Sequence, residues 1–447
     1  LKEIVITERV GTDIKEEPPR VPLETWLRFR CNVIHEHAAD ASIRAGYQFR
    51  SAGMNVILRV TGYCSRMRLQ VGLVVPRFAP FRGGVETYTS QAAAALAQAG
   101  AEVTVVTQAP RNADLPTLEV RDGYSVERYP LPFGDSFDVS SPAAARASSR
   151  SGRFDVVWAH SYHTPLAWLV AERTGTPLVL TPYYHGGGST RLREMLHRPY
   201  RLAGRRLMAA SRRVVVCTDA EAELVLRDFP RQVSADRITV VPPAVADPAR
   251  GRPPFPSEAP VVLTVARHEP YKRTDLLVRA IAELRRRAVP VRLVVVGGGS
   301  GLDGLRELAA QLAAEDVVTF TGPVDEDTLG RWWASASLYA TASLQESFGI
   351  GLAEALAAGL PVVASGIPAH REVIRRAGSS ALSELCAVEG RDVDAASRYA
   401  DAMARLLRSG GSRGERARRC ALPGPAKTTE RLLETFNSVR AMTRQRQ

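Results

Sequence analysis

Two glutamates, Glu346 and Glu354, bracket the seven residues Ser347-Phe348-Gly349-Ile350-Gly351-Leu352-Ala353. Glycines at a strand-to-helix turn leave the N–H groups of 347–351 at a helix N-terminus, which favours an anionic or polyhydroxyl ligand. Glu346 then belongs to the loop and Glu354 lies one or two turns into the helix. At about 1.5 Å rise per residue the two acids can meet different parts of one elongated ligand. The bare pair is equally compatible with two solvated surface acids. Upstream, Val265-Ala266-Arg267-His268-Glu269-Pro270-Tyr271-Lys272 holds two cations that could converge on a diphosphate. Arg267 would act through its planar fork and Lys272 as a point charge; ordinary loop cations are the alternative. In Phe81-Arg82-Gly83-Gly84-Val85-Glu86 the glycines would admit a phosphate or sugar close to the backbone, or serve a tight turn. The run Gly297-Gly298-Gly299-Ser300-Gly301 could flank a ligand or be a loose connection.

The elements that must position these residues alternate between strand and helix. Apolar runs predict strands at 69–75, 102–107, 155–159, 177–181, 213–218 and 238–241, with helices such as 86–98 and 220–227 between them. A second series is expected at 261–265, 291–296, 317–321, 338–341 and 361–364. Pro248, Pro253, Pro254, Pro256 and Pro260 mark 248–260 as a stiff linker. Two doubly wound α/β domains, 67–247 and 261–424, would then face a cleft, with ligands beyond the carboxyl ends of the strands. Residues 425–447 read as a C-terminal helix. Residues 1–66 lack the alternation. They are expected to be poorly ordered or outside the natural translation product, with the functional protein beginning near Met67.

The 447 residues carry a formal charge of +12 and 45% hydrophobic side chains, as in a soluble globular protein with anionic partners. Five scattered cysteines suit a reducing, cytoplasmic setting better than a disulfide framework. No apolar run reaches the roughly 18–20 residues that span a bilayer. Arg191, Arg193, Arg198, Arg201, Arg205, Arg206, Arg212 and Arg213 cluster among Leu192, Leu196, Tyr200, Leu207 and Met208. Such a stretch could lie peripherally on an anionic membrane face, or be a solvated arginine-rich surface. Nucleic acid is the least favoured partner, because no helix-turn-helix, zinc-finger or RNP-like signature accompanies the charge. His160, His163 and His185 lack acidic partners at metal-ligand spacing, so no metal and no cofactor is expected.

Taken in order, the Gly83-Gly84 loop, Thr181-Pro182-Tyr183-Tyr184-His185-Gly186, Arg267 with Lys272, Phe320-Thr321-Gly322-Pro323-Val324 and the E-x7-E pair resemble the retaining GT-B glycosyltransferases of family 4. The resemblance runs from about Met67 to the C-terminus. It implies transfer of a sugar from a UDP- or GDP-linked donor to a lipid-linked, glycan or small-molecule acceptor, with retained anomeric configuration. In such enzymes attack on the donor's front face is assisted by the departing phosphate. Arg267 and Lys272 would neutralise the diphosphate, and Glu354 would hold the ribose hydroxyls. Glu346, with the N–H groups of Phe348, Gly349 and Ile350, would orient the sugar. Backbone around Val324 would read the base, while Gly83 and Gly84 would admit phosphates and acceptor. A binding or regulatory protein of the same fold, catalytically idle, is the alternative reading.

The family often places a sugar-positioning histidine two residues after the strand ending at Thr181. Tyr183 stands there instead, so the role falls either to Tyr183 or to His185, which is preferred because it directly precedes Gly186-Gly187-Gly188. Val241-Pro242-Pro243-Ala244-Val245 replaces a frequent Pro-Asn-Gly-Val and stiffens that turn. An aromatic residue common just before the C-terminal helix is missing, which weakens the expectation that this helix docks on the first domain.

Overall fold

The computed structural model describes residues 4–5, 45–51, 54–60, 68–81, 83–134, 137, 139–186, 202–378, 382–409 and 412–444. The chain divides into two compact units, Leu1–Arg68 and Leu69–Gln447. In the first, β1 (Ile4–Val5) pairs in parallel with β3 (Met54–Val60), which pairs antiparallel with β2 (Ala45–Ser51). The remainder of 1–66, and with it most of what the sequence suggested there, lies outside the described residues.

The second unit contains two sheets. The first sheet is built from β4 (Gln70–Val74), β5 (Glu102–Ala109), β6 (Leu118–Arg121), β7 (Tyr124–Pro130), β8 (Val156–His160), β9 (Leu178–Thr181), β10 (Arg213–Val216) and β11 (Ile238–Val240). Its order is β11-β10-β9-β8-β4-β5-β7-β6, parallel except for the β6–β7 hairpin. The second, from β12 (Val261–Val265), β13 (Arg292–Val296), β14 (Val318–Gly322), β15 (Ala336–Thr341), β16 (Val362–Ser365) and β17 (Ser383–Cys386), is ordered β14-β13-β12-β15-β16-β17 and wholly parallel. Central strands such as Val71, Leu73 and Val74 are buried on both faces, which is why they read as unbroken apolar runs. Helix Gly84–Gln98 buries Tyr88, Ala92 and Leu96, one stripe at a four-residue spacing.

The β6–β7 hairpin and strand β17 were not anticipated. Leu118 and Val120 point to solvent and Ser-Glu-Leu-Cys has no apolar run, so neither carries the signature of a buried strand. The C-terminal helix Pro425–Arg444 inserts Leu432, Phe436 and Val439 into the first half's core, with Phe436 5.3 Å from Trp158. The Val241–Val245 turn seats it: Thr428 donates to the Pro242 carbonyl at 3.2 Å and the Val245 N–H to that of Pro423 at 3.1 Å. An aromatic within the helix thus supplies the docking contact whose usual position is empty.

Strand order locates the site. In each sheet the chain builds outward from its first strand in one direction and then returns to build in the other. The reversals fall between β4 and β8 in the first sheet and between β12 and β15 in the second. Ligands bind outside the carboxyl ends of strands at such reversals. The loops concerned are those after Val74, His160, Val265 and Thr341, and three of them carry motifs singled out in the sequence.

Candidate active site

In the second half, the Leu344 N–H bonds the Tyr271 carbonyl at 2.8 Å and ties together the loops after β12 and β15. That staple puts Lys272 Nζ 2.6 Å from Glu346 Oε1. Burial pulls the Lys272 ammonium downward, but Glu346 and the Tyr271 ring outweigh it and hold its pKa above the ordinary value. Burial likewise opposes ionisation of Glu346, yet Lys272, His370 and the Ser343 hydroxyl leave its pKa below the usual carboxylate value. The pair is therefore charged at neutral pH. Arg267, half exposed with Nε 3.7 Å from Glu269 Oε1, is close enough to press Lys272 downward. The glycine run is not loose: the His268 N–H donates to the Gly298 carbonyl at 2.7 Å and the Gly301 N–H to that of His268 at 2.9 Å.

Helix Ile350–Ala357 begins at Gly349, whose φ of 94° is a left-handed turn that suits glycine. Its Ile-Gly-Leu-Ala-Glu-Ala-Leu-Ala sequence buries Leu352, Ala353, Ala355 and Leu356 and holds one charge, Glu354. That carboxylate makes no hydrogen bond or ion pair among the described residues, and burial pushes its pKa up to about 7. Phe348 is buried beneath the turn, while Ile350 packs toward both halves. Val324 lies between β14 and helix Glu326–Ser335, whose N-cap Asp325 accepts from the Thr328 N–H at 2.8 Å.

The first half presents a different surface. Gly84 lies where an added Cβ would stand 3.5 Å from Ile350 Cδ1, so the Gly-Gly loop meets helix Ile350–Ala357 directly. At Gly83 a Cβ would fall 2.3 Å from Glu86 Oε2, which is paired with Arg77. His160, at the end of β8, places Nδ1 3.0 Å from the Tyr183 hydroxyl. Tyr183 adopts φ 51°, strained for a bulky residue, and packs against the cores of both halves. Burial pushes His160 down to about 3, so it is neutral. Its Nε2 and the Tyr88 hydroxyl are buried and have no hydrogen-bond partner among the described residues. His185 turns elsewhere and stacks on His163 at 5.1 Å.

The two halves are joined through the same loops. The Thr218 hydroxyl donates to the Ser347 carbonyl at 3.1 Å. Glu372, on helix Pro368–Ala377, crosses to cap helix Asp219–Asp228, accepting from the N–H groups of Asp219 at 2.8 Å and Ala220 at 2.9 Å. Arg376 bonds both Glu372, at 2.8 Å, and Asp219, at 2.9 Å. Burial also pushes neighbouring Glu221 up to about 8, against N–H bonds from Cys217 and Tyr184. Sequence reasoning passed over His160, His370 and Glu372 as functional residues. The one available signal was a histidine or acid within a turn of a buried strand end.

Two parallel, doubly wound sheets with their reversals at a shared seam are the architecture of a GT-B glycosyltransferase. Residues 83–244 match the family model "Glycosyl transferase 4-like domain" and residues 246–420 match "Glycosyl transferases group 1". The D-inositol 3-phosphate glycosyltransferase of Mycobacterium marinum is 31% identical over 390 residues, 79% of this chain and 81% of that one. That of Frankia alni is 34% identical over 361 residues, covering 73% and 86%. The chain belongs to the group 1 glycosyltransferases and is a transferase enzyme. Among solved structures, sucrose-phosphate synthase from Thermosynechococcus elongatus superposes with TM-score 0.62 at 19% identity, over 85% of this chain and 98% of that one. Anabaena HepE in complex with UDP and glucose gives 0.62 at 18%, over 83% and 100%. No helix among the described residues is long and apolar enough to cross a membrane.

Proposed function

We propose that the protein transfers a sugar from a UDP- or GDP-linked donor with retention of configuration, and that its acceptor is a phosphorylated cyclitol or similar small polyol. The observation that carries this is the Lys272–Glu346 pair beside the helix that bears Glu354, at the strand reversal of the second sheet. The acceptor class rests on the relatives named D-inositol 3-phosphate glycosyltransferase. Lipid-linked and glycan acceptors are the competing outcomes.

In this reading Arg267 and Lys272 meet the diphosphate. As the bond from the sugar's anomeric carbon to the phosphate oxygen breaks, charge grows on the leaving group, and fixed cations there favour the transition state over the ground state. The acceptor oxygen attacks from the same face, and its proton passes to the departing phosphate oxygen. Glu346 keeps Lys272 Nζ in place and, with the first-turn N–H groups at Phe348, Gly349 and Ile350, orients the sugar. Glu354 accepts from the ribose hydroxyls, and Val324 borders the base. Gly83 and Gly84 give acceptor and phosphates room on the opposite side. Of the two sugar-side candidates, Tyr183 is favoured over His185: its hydroxyl is held by His160 at the seam, whereas His185 stacks on His163. The division into 67–247, 248–260, 261–424 and 425–447 remains our proposal for the domain limits.

A panel of UDP- and GDP-sugars assayed by thermal shift identifies the donor, since selective binding raises the melting temperature. Transfer to inositol 3-phosphate, followed by NMR of the anomeric linkage, tests acceptor and stereochemistry. An inverted product, or stabilisation by no sugar nucleotide, overturns the reading. Peripheral contact with the inner membrane face, from the cytoplasm, is proposed separately for 191–213. In its described part Leu207 and Met208 are buried while Arg205 and Arg206 point outward; residues 187–201 lie outside the described residues. Binding to vesicles containing anionic lipid should weaken as salt is raised, and survival of that binding after neutralising Arg205 and Arg206 with Arg212 and Arg213 counts against it.

A further inference from the structure

His370 sits in the first turn of helix Pro368–Ala377, is fully buried, and leaves Nε2 without a hydrogen-bond partner among the described residues. A buried unpaired nitrogen costs free energy that Leu or Phe in the same space would not. Its other nitrogen is tied down. Nδ1 is 3.1 Å from the Ser365 carbonyl oxygen and 2.9 Å from Ser365 Oγ. A carbonyl only accepts, so Nδ1 carries the proton and Nε2 is a bare lone pair. Ser365 Oγ in turn donates to the Ser343 carbonyl at 2.6 Å, and Ser343 is one of the groups that hold the Glu346 carboxyl below its usual range. Across the ring, Gly349 approaches so closely that a Cβ there would lie 3.1 Å from His370 Cδ2 and 3.2 Å from Nε2. One imidazole thus grips both ends of the 343–349 turn, at Ser343 through Ser365 and at Gly349 by direct packing.

We propose that His370 is a positioning residue for sugar transfer: it holds the 343–349 turn in the shape that keeps Glu346 against Lys272 and the helix N-terminus at Gly349 open to the donor. The inference rests on the donor-site reading above. It explains why a residue that weakens the core is placed under the turn, and why position 349 favours glycine for space as well as for backbone angle.

His370→Phe keeps the ring and removes the Nδ1 donor, whereas His370→Asn returns an N–H donor near the Nδ1 position. In the full chain, His370→Phe should melt within about 3 °C of wild type. Amide exchange over 343–352 should quicken. The kcat should fall at least about tenfold while Kd for UDP and GDP, titrated as probes, stays within about threefold. His370→Asn should recover most of the loss. Unchanged exchange over 343–352 in His370→Phe overturns the proposal. So does a parallel fall in melting temperature, nucleotide affinity and kcat without rescue by Asn, which is what a packing role gives. Should the wild type transfer no sugar at all, the functional reading fails, and the exchange comparison alone then decides the role of His370.

Discussion

The two sides of the seam solve opposite problems. On the second half, Lys272, Glu346 and Arg267 place charge in the loops after β12 and β15 and tune one another, with Glu354 on the helix that follows. On the first half, Tyr88, Trp158, His160 and Tyr183 form an aromatic cluster in which the histidine is neutral and the hydroxyls stay protonated through burial. A leaving group that gains charge calls for the first arrangement. A polyol ring that must be oriented through its hydroxyls without attracting the diphosphate calls for the second. On the proposed reading, the difference teaches that donor chemistry is electrostatic, while acceptor selection is a matter of shape and hydroxyl geometry.

Mutations can break this contrast in graded steps. The largest effect is expected from the charged side: Glu346→Gln and Lys272→Met should each lower kcat about a hundredfold or more, because either leaves a half-buried charge alone. The double variant should lose little beyond either single one, and simple additivity in steady-state kinetics would separate the two residues into independent roles. On the aromatic side, Tyr183→Phe should cost about tenfold in kcat/KM for the acceptor with donor affinity kept; an equal loss in donor binding would put Tyr183 on the donor.

Glu354→Gln should raise donor KM about fivefold at pH 8, the loss of charged acceptors for two hydroxyls. It should also stabilise the free protein there. Because Glu354 is held near 7, above the ordinary 4.5, the folded state grips this proton more tightly than the unfolded chain does. The stability so gained is complete below about pH 4.5 and is lost as pH rises through about 7. The Gln variant should therefore melt about 2–4 °C higher than wild type at pH 8 and no higher at pH 4. Equal shifts at both values would mean the carboxylate is not the cause. Smallest is Glu372→Gln, which weakens a helix cap by about 1 kcal/mol, read as a modest drop in melting temperature with donor KM little changed.

The charged side was the legible side. Glycine turns, a lysine–arginine loop and paired acids are local patterns, and the central strands announce themselves through apolar runs such as Val261–Val265. The aromatic side is assembled from a helix, a strand and the loop after β9, with Tyr88, Trp158, His160 and Tyr183 scattered over ninety-odd positions, and no spacing rule joins them. His370 was equally hidden, since its meaning lies in a tautomer fixed by Ser365 and a glycine twenty-one positions upstream. The Gly297–Gly301 run failed in the other direction: composition suggests slack, but hydrogen bonds to His268 make it tight. His185 preceded the more conspicuous glycine turn, whereas Tyr183 is marked by its backbone angle, which sequence does not display.

Glu372 gives the enzyme an internal gauge of its own closure. Helix Asp219–Asp228 begins in one half, but the carboxylate that finishes its first turn belongs to the other. Any separation of the two halves at this helix would therefore fray that turn. The amide protons of Asp219 and Ala220 become clock hands: their exchange rate reports the fraction of time the two halves spend apart, and ligands that hold the halves together should slow both in step.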